Sequence, residues 1–183
     1  HGLGKNEYTV TYDQTTKSAD FSQSYYDWDN MLPDYRYPVR ATTIQENAVA
    51  QLMSDVGIAS SMQYTPSSSG TQGIFAYQAL QKHFDYTAAY VTRAIEGSSR
   101  FASILRQELL NGCPVYLEGR PANTASGHAW VADGFDENGL FHMNFGWDGQ
   151  GDAYYSLTNL SLSQSGNEFQ GKPLAFNRAI TAI

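Results

Sequence analysis

The sequence predicts an α+β fold. Two observations carry this. Between residues 43 and 112, apolar side chains recur at helical spacing in three segments. From Pro114 onward the pattern becomes short alternating runs separated by tight-turn signals. Helices followed by an antiparallel sheet make an α+β domain. A length of 183 residues suits one domain with a sizeable core, so a single domain over 1–183 is expected.

The first forty residues are polar and turn-rich, with one alternating stretch, Tyr8 to Tyr12, that reads as a strand. Tyr25-Tyr26-Asp27-Trp28 then leads into Met31-Leu32-Pro33 and reads as core and lid packing. The first helix opens on a capping box, Thr43 to Glu46, carries Val49, Leu52, Met53 and Val56 on one face, and stops at Gly57. The second runs from near Ile74 to His83, burying Tyr77, Leu80 and Phe84. The third starts after Ser98-Ser99, buries Phe101, Ile104, Leu105 and Leu109, and ends at Gly112. Between the first two lies Pro66 to Gly73, a loop of small residues that reads either as a linker or as a binding rim built from backbone. Strands follow at Pro114–Glu118, His128–Phe135, Leu140–Phe145 and Asp152–Leu157, with a terminal one at Ala175–Ile183. Asp136-Glu137-Asn138-Gly139 is a hairpin turn, and Asp148 to Gly151 another tight loop.

Composition excludes several classes. Eleven Lys+Arg stand against 18 Asp+Glu, for a net charge of -7. Phosphate binding needs a basic patch, so no nucleic-acid partner is expected. No apolar run approaches the roughly 20 residues that span a bilayer. The chain begins at His1 with no initiator Met and no signal peptide, and reads as a processed or excised piece. Low lysine, few thiols and many Tyr, Ser and Gly suggest a secreted or cell-surface bacterial protein. One cysteine, Cys113, precludes an internal disulfide framework.

Of four histidines, His1 is terminal, His83 sits at a helix end and His142 alternates within a strand. His128 differs. It follows the loop Arg120 to Ser126, comes straight after Gly127, and opens the apolar strand Ala129-Trp130-Val131. A histidine there can meet a ligand across side-chain-free backbone, or serve as an ordinary polar strand start. No metal is expected. His128 and Asp133 point to opposite faces of one strand, and no His-x-x-x-His or Cys-His cluster exists. Nothing in the spacing singles out a carboxylate pair. Cys113 lies past a helix C-terminus, where the dipole opposes a thiolate. It precedes Pro114, the setting of an inert, buried, small hydrophobe.

Read together, these blocks resemble a known family. Gly127-His128-Ala129-Trp130-Val131 with Asp133-Gly134, then Phe141-His142-Met143-Asn144-Phe145-Gly146-Trp147, is similar to the histidine block of papain-like bacterial cysteine peptidases of the streptopain and interpain type. Tyr26 to Pro33, Leu52 to Ile58, Met62 to Ser68, Ala79-Leu80, Phe84 to Tyr86 and Pro114 to Tyr116 fall in the family's order. The resemblance implies a papain-like fold, helices followed by a twisted antiparallel sheet, and endopeptidase activity on protein or peptide substrates without a cofactor. It assigns His128 as general base, with Asn144, Phe145, Trp147 and Glu118 around it. Ser68, Gly70 and Gly127 fall where the family lines its cleft.

The departures are specific. The family's nucleophilic cysteine belongs to an upstream helix, so the expected partner is an N-terminal segment of the same precursor, and this chain alone is expected to be inactive. Phe145 stands in place of a tryptophan, Glu118 in place of a glutamine, and Gly70 in place of a serine. The alternatives are an inactive family member acting as a binding or adhesion module, and a serine hydrolase pairing His128 with Ser68 or Ser126. Hairpin parity adds an independent expectation. If Phe135 opposes Leu140 without a bulge, His128 and Phe145 share a face and Asn144 points the other way.

Overall fold

The computed structural model describes residues 1–121, 127–157 and 178–183, with side chains from 180 in the last stretch. They form two compact units, His1–Ala88 and Ala89–Ile183.

The first unit opens on an antiparallel hairpin, β1 (Lys5–Thr9) with β2 (Thr16–Asp20). Strand β1 ends earlier than the alternation suggests, because Val10 is buried and turns the chain while Tyr12 is exposed. Helix α1 spans Thr43–Ala59. Its capping box sits one residue earlier than the sequence reading, with Thr42 as N-cap and Gln45 reaching back to it. Gly57 does not stop it. The stop is Ser61 in the left-handed region (φ 51°), with Met62 N–H donating to the Gly57 carbonyl and Ser61 N–H to that of Ile58, a Schellman ending. Gly57 has a different reason: a Cβ there would lie 2.1 Å from the Tyr64 hydroxyl.

The buried face of α1 is also rotated from the expected one. Ala48, Asp55 and Ala59 are buried, whereas Met53 and Val56 are exposed. Asp55 is the cause. Its carboxylate accepts from the Tyr26 hydroxyl at 3.0 Å and from Gln51 Nε2 at 3.0 Å. Of the aromatic cluster, Tyr26 is therefore core, and Tyr25 and Trp28 are exposed. The short strands β3 (Gln63–Tyr64) and β4 (Ser69–Gly70) pair across a turn, so the small-residue segment is a hairpin in part. Helix α2 spans Gly73–His83. Ala79 on α2 and Phe21 and Ala59 make a small core, with Phe84 packed against it.

In the second unit β5 (Val91–Thr92) and the short α3 (Arg93–Glu96) precede α4 (Ser98–Leu110). Helix α4 buries Phe101 and Leu105. It ends in a second Schellman motif: Gly112 (φ +79°) donates to Leu109 O, and Cys113 N–H to Glu108 O. The strands are β6 (Val115–Arg120), β7 (His128–Phe135), β8 (Phe141–Asn144), β9 (Ala153–Tyr155) and β10 (Arg178–Ala182). The first three residues of the expected terminal strand lie outside the described residues. The sheet order is β5-β10-β6-β7-β8-β9, and every neighbouring pair is antiparallel. Its inner face, Leu117, Trp130, Ala132, Phe141, Met143, Phe145 and Ala182, packs with Phe101 and Leu105 as the main core. The α+β expectation holds.

Register decides which side chains reach that face. Phe135 pairs with Phe141, not Leu140. A bulge between Ala132 and Gly134 then absorbs one residue, so that Val131 pairs with Asn144. Beyond the bulge the register is the one that an unbulged Phe135–Leu140 pairing would have given.

Candidate active site

His128 is the first residue of β7 and pairs with Gly119 of β6. Gly127 is needed just before it: a Cβ at that position would stand 2.8 Å from the Gly119 carbonyl oxygen. Alternation places His128 on the same side as buried Trp130 and Ala132. Phe145 follows the end of β8 on that side and is buried to 1% exposure.

A hydrogen bond and stacked aromatic rings hold the imidazole. His128 Nε2 lies 2.8 Å from the Phe145 carbonyl oxygen. That oxygen can only accept, so Nε2 carries the hydrogen, and the lone pair of the neutral ring is on Nδ1. The Trp147 ring stacks on the imidazole at 4.3 Å between centroids, 27° from parallel. Phe145 stacks at 6.2 Å and Trp130 at 6.5 Å. Burial among these rings holds the His128 pKa below its ordinary value, and the bond to the Phe145 carbonyl opposes that.

The backbone that receives the imidazole is itself held. Phe145 N–H donates to Asp152 Oδ1 at 2.9 Å, and Gly146 N–H donates to Asn144 Oδ1 at 2.9 Å. Tyr155 crosses Phe145 edge-on at 5.7 Å, and its hydroxyl donates to Gly151 O at 2.6 Å. Asp152 escaped the sequence reading. An acid after the Asp148 to Gly151 turn reads equally as loop end or strand start, so the sequence does not single it out.

The sequence-derived site residues fall in different places. Phe145 and Trp147 meet His128. Asn144 is exposed on the other face, as the parity argument expects. Glu118 pairs with Ala129 rather than with His128, so it also faces away. It accepts from the Tyr90 hydroxyl at 3.1 Å. Its charge adds to burial in raising the pKa of Tyr90, and of Tyr116 to about 12. Ser68 and Gly70 belong to the first unit. Ser68 closes the β3–β4 turn with Thr65, hydroxyl to hydroxyl at 3.0 Å, and Gly70 is exposed with open space where a Cβ would stand. Ser126 lies outside the described residues.

Cys113 is exposed, which corrects the expectation of a buried thiol. It belongs to the cap of α4 rather than to the sheet, because its N–H still serves Glu108 and the first buried strand residue is Val115. His142 Nδ1 lies 2.5 Å from Asp133 Oδ1, and its ring meets Tyr154 at 5.1 Å. Among the described residues no group of His, Cys, Asp and Glu could hold a metal ion, and no helix is long and apolar enough to cross a membrane.

The model of the "Peptidase C10 family" matches residues 1–155. The chain belongs to the peptidase C10 family. Streptopain of Streptococcus pyogenes serotype M28 is 34% identical over 150 residues, which cover 81% of this chain and 37% of streptopain. The thiol protease/hemagglutinin PrtT of Porphyromonas gingivalis is 31% identical over 160 residues, 84% of this chain and 18% of PrtT. The chain thus spans well under half the length of these curated relatives. Active wild-type interpain A of Prevotella intermedia, a cysteine protease, superposes with a TM-score of 0.85 at 32% identity, covering 99% of this chain and 73% of that one. A prointerpain A fragment carrying a cysteine-to-alanine mutation gives 0.80 at 33%, covering 99% and 55%. This member of the C10 family therefore has the papain-like α+β fold of interpain A, and its relatives are cysteine peptidases.

Proposed function

We propose that this chain is the histidine-bearing part of a secreted bacterial cysteine endopeptidase, with His128 as general base and acid. The observation that carries this is the bond from His128 Nε2–H to the Phe145 carbonyl, which leaves the proton-accepting lone pair on Nδ1. The nucleophile is a cysteine on a segment N-terminal to residue 1 of the same precursor. Cys113, the one cysteine of the sequence, is unsuited to that role. It sits at the negative end of α4, where a thiolate is disfavoured.

In the reaction, the cysteine thiolate attacks the scissile carbonyl carbon and forms a C–S bond. The proton on Nδ1 of the His128 imidazolium passes to the leaving amine as the C–N bond breaks. Water then attacks the acyl carbon, gives a proton to Nδ1, and the C–S bond breaks to return the thiolate. A neighbouring thiolate favours the imidazolium, and so opposes the downward pull of burial on His128. Trp147 and Phe145 exclude water from one side of the ring. Ser68, Gly70 and Gly127 are proposed to line the cleft for a protein substrate.

The test joins the chain to a cysteine-bearing N-terminal segment of the precursor. Casein turnover by the joined protein is expected, lost in His128→Ala and kept in Cys113→Ser. Residues 1–183 alone are expected to be silent. Turnover by that chain alone, abolished by Cys113→Ser, would overturn the assignment of the nucleophile.

A further inference from the structure

The peptide group between Phe145 and Gly146 is held at both of its polar atoms. Its carbonyl accepts the Nε2–H of His128 at 2.8 Å. Its N–H donates to the Asn144 side-chain oxygen at 2.9 Å. Asn144 itself is exposed and sits on the face of the sheet away from the imidazole. It reaches the peptide through a local turn, with Gly146 in the left-handed region at φ +72°.

We propose that Asn144 is a positioning residue that acts on His128 through the Phe145–Gly146 peptide and not by contact. An amide is one conjugated unit. A hydrogen bond drawn from its N–H moves electron density onto its oxygen, and hydrogen bonds chained in this way strengthen one another by roughly 10–30%. The Phe145 oxygen is thereby a better acceptor for Nε2–H. It fixes the tautomer that keeps the lone pair on Nδ1, and it supports the ring more strongly when the ring is protonated. Asp152 holds Phe145 too, but by the N–H of the preceding peptide. It places the chain without acting on the same carbonyl. The catalytic meaning of this relay rests on the reading of His128 as the general base; the relay itself does not.

Among the described residues, Asp148 directly follows the stacking Trp147. Arg120 of β6 lies beside Gly127, and Asp152 precedes β9. Glu118, Asp133 and His142 lie on the opposite face. Neutral substitutions at Asn144 leave all of these in place.

The experiment follows the titration of His128 by NMR in the 183-residue chain, with His142 as internal control. Asn144→Ala is expected to lower the His128 midpoint by a few tenths of a pH unit, and to weaken the preference for hydrogen on Nε2. Asn144→Ser, whose hydroxyl can accept the same Gly146 N–H, is expected to restore both. If the alanine variant does not fold, Asn144→Asp decides, since a charged acceptor must raise the midpoint. A folded Asn144→Ala with an unchanged His128 midpoint and tautomer, or an Asn144→Asp midpoint at or below the parent's, overturns the proposal. A midpoint that follows Asn144 in a chain that stays inactive when joined to its cysteine segment leaves the relay standing and removes the peptidase reading. Activity without any response at His128 does the reverse.

Discussion

The indole of Trp147 lies on the imidazole of His128 with ring centroids 4.3 Å apart. The two residues come from different strand ends, yet this contact accounts for much of what sets His128 apart from the other histidines. Trp147 removes water from one side of the ring, and desolvation is the main cause of its lowered pKa. Trp147→Ala should therefore move the His128 midpoint up toward about 6.5, as NMR titration would read. In the joined enzyme kcat/KM should fall by roughly tenfold or more, because the imidazole loses its fixed plane.

The same lowered pKa gives a signed dependence of stability on pH. The unfolded chain binds a proton at His128 at higher pH than the folded chain does. Stability from the buried neutral ring is full above about 6.5 and is lost as pH falls below that, toward the folded midpoint. Thermal unfolding of the parent and of His128→Gln, compared from about pH 7.5 to about pH 5, should show the parent losing more of its Tm. Parallel curves would contradict this.

Gly127 is a steric requirement. A Cβ there would come within 2.8 Å of the Gly119 carbonyl oxygen, a backbone atom that cannot rotate away. Gly127→Ala should part β6 from β7 at the Gly119–His128 end of the pair, cost about 1–3 kcal/mol in urea unfolding, and displace His128 with it. Gly70→Ala, with nothing within 4 Å of its Cβ, serves as the contrasting substitution and should be nearly neutral.

In the first unit, Tyr26 and Asp55 form a buried pair at 3.0 Å. Burial, with the Asp55 bond second, raises the Tyr26 hydroxyl to about 12. Tyr26→Phe leaves the buried carboxylate short of a donor and should cost about 1–3 kcal/mol, measured by chemical denaturation. The effect should be the same at pH 6 and pH 8, both far below the tyrosine's range.

Much of the second unit was legible in the sequence, and for physical reasons. Its strands alternate cleanly because one face is core, and its turns carry Gly at the positive-φ positions 139, 149 and 151. The first unit was harder. Helix α1 buries small residues and an aspartate instead of its larger apolar side chains, so periodicity pointed to the wrong face. Its end is set by Ser61, a residue with no bias toward the left-handed region, where Gly57 looked the better stop. At the site, His128, Phe145 and Trp147 could be found from spacing and family resemblance. Asp152 could not, since it acts by a side-chain bond to backbone seven positions away. Nor could the indirect path from Asn144, because face parity alone separates it from His128.

Asp133 gives strand β7 two phases, one for each end. Between it and the turn, pairs of residues sum to one constant; between it and His128, to a constant smaller by one. The turn at 136–139 and the histidine end are thus set independently of each other. A change of one residue in that turn can be taken up at Asp133, and His128 stays on the inner side of the sheet. The hairpin tip is free to vary in length, while the imidazole is oriented near the other end, where Trp130, Phe145 and Trp147 stack on it.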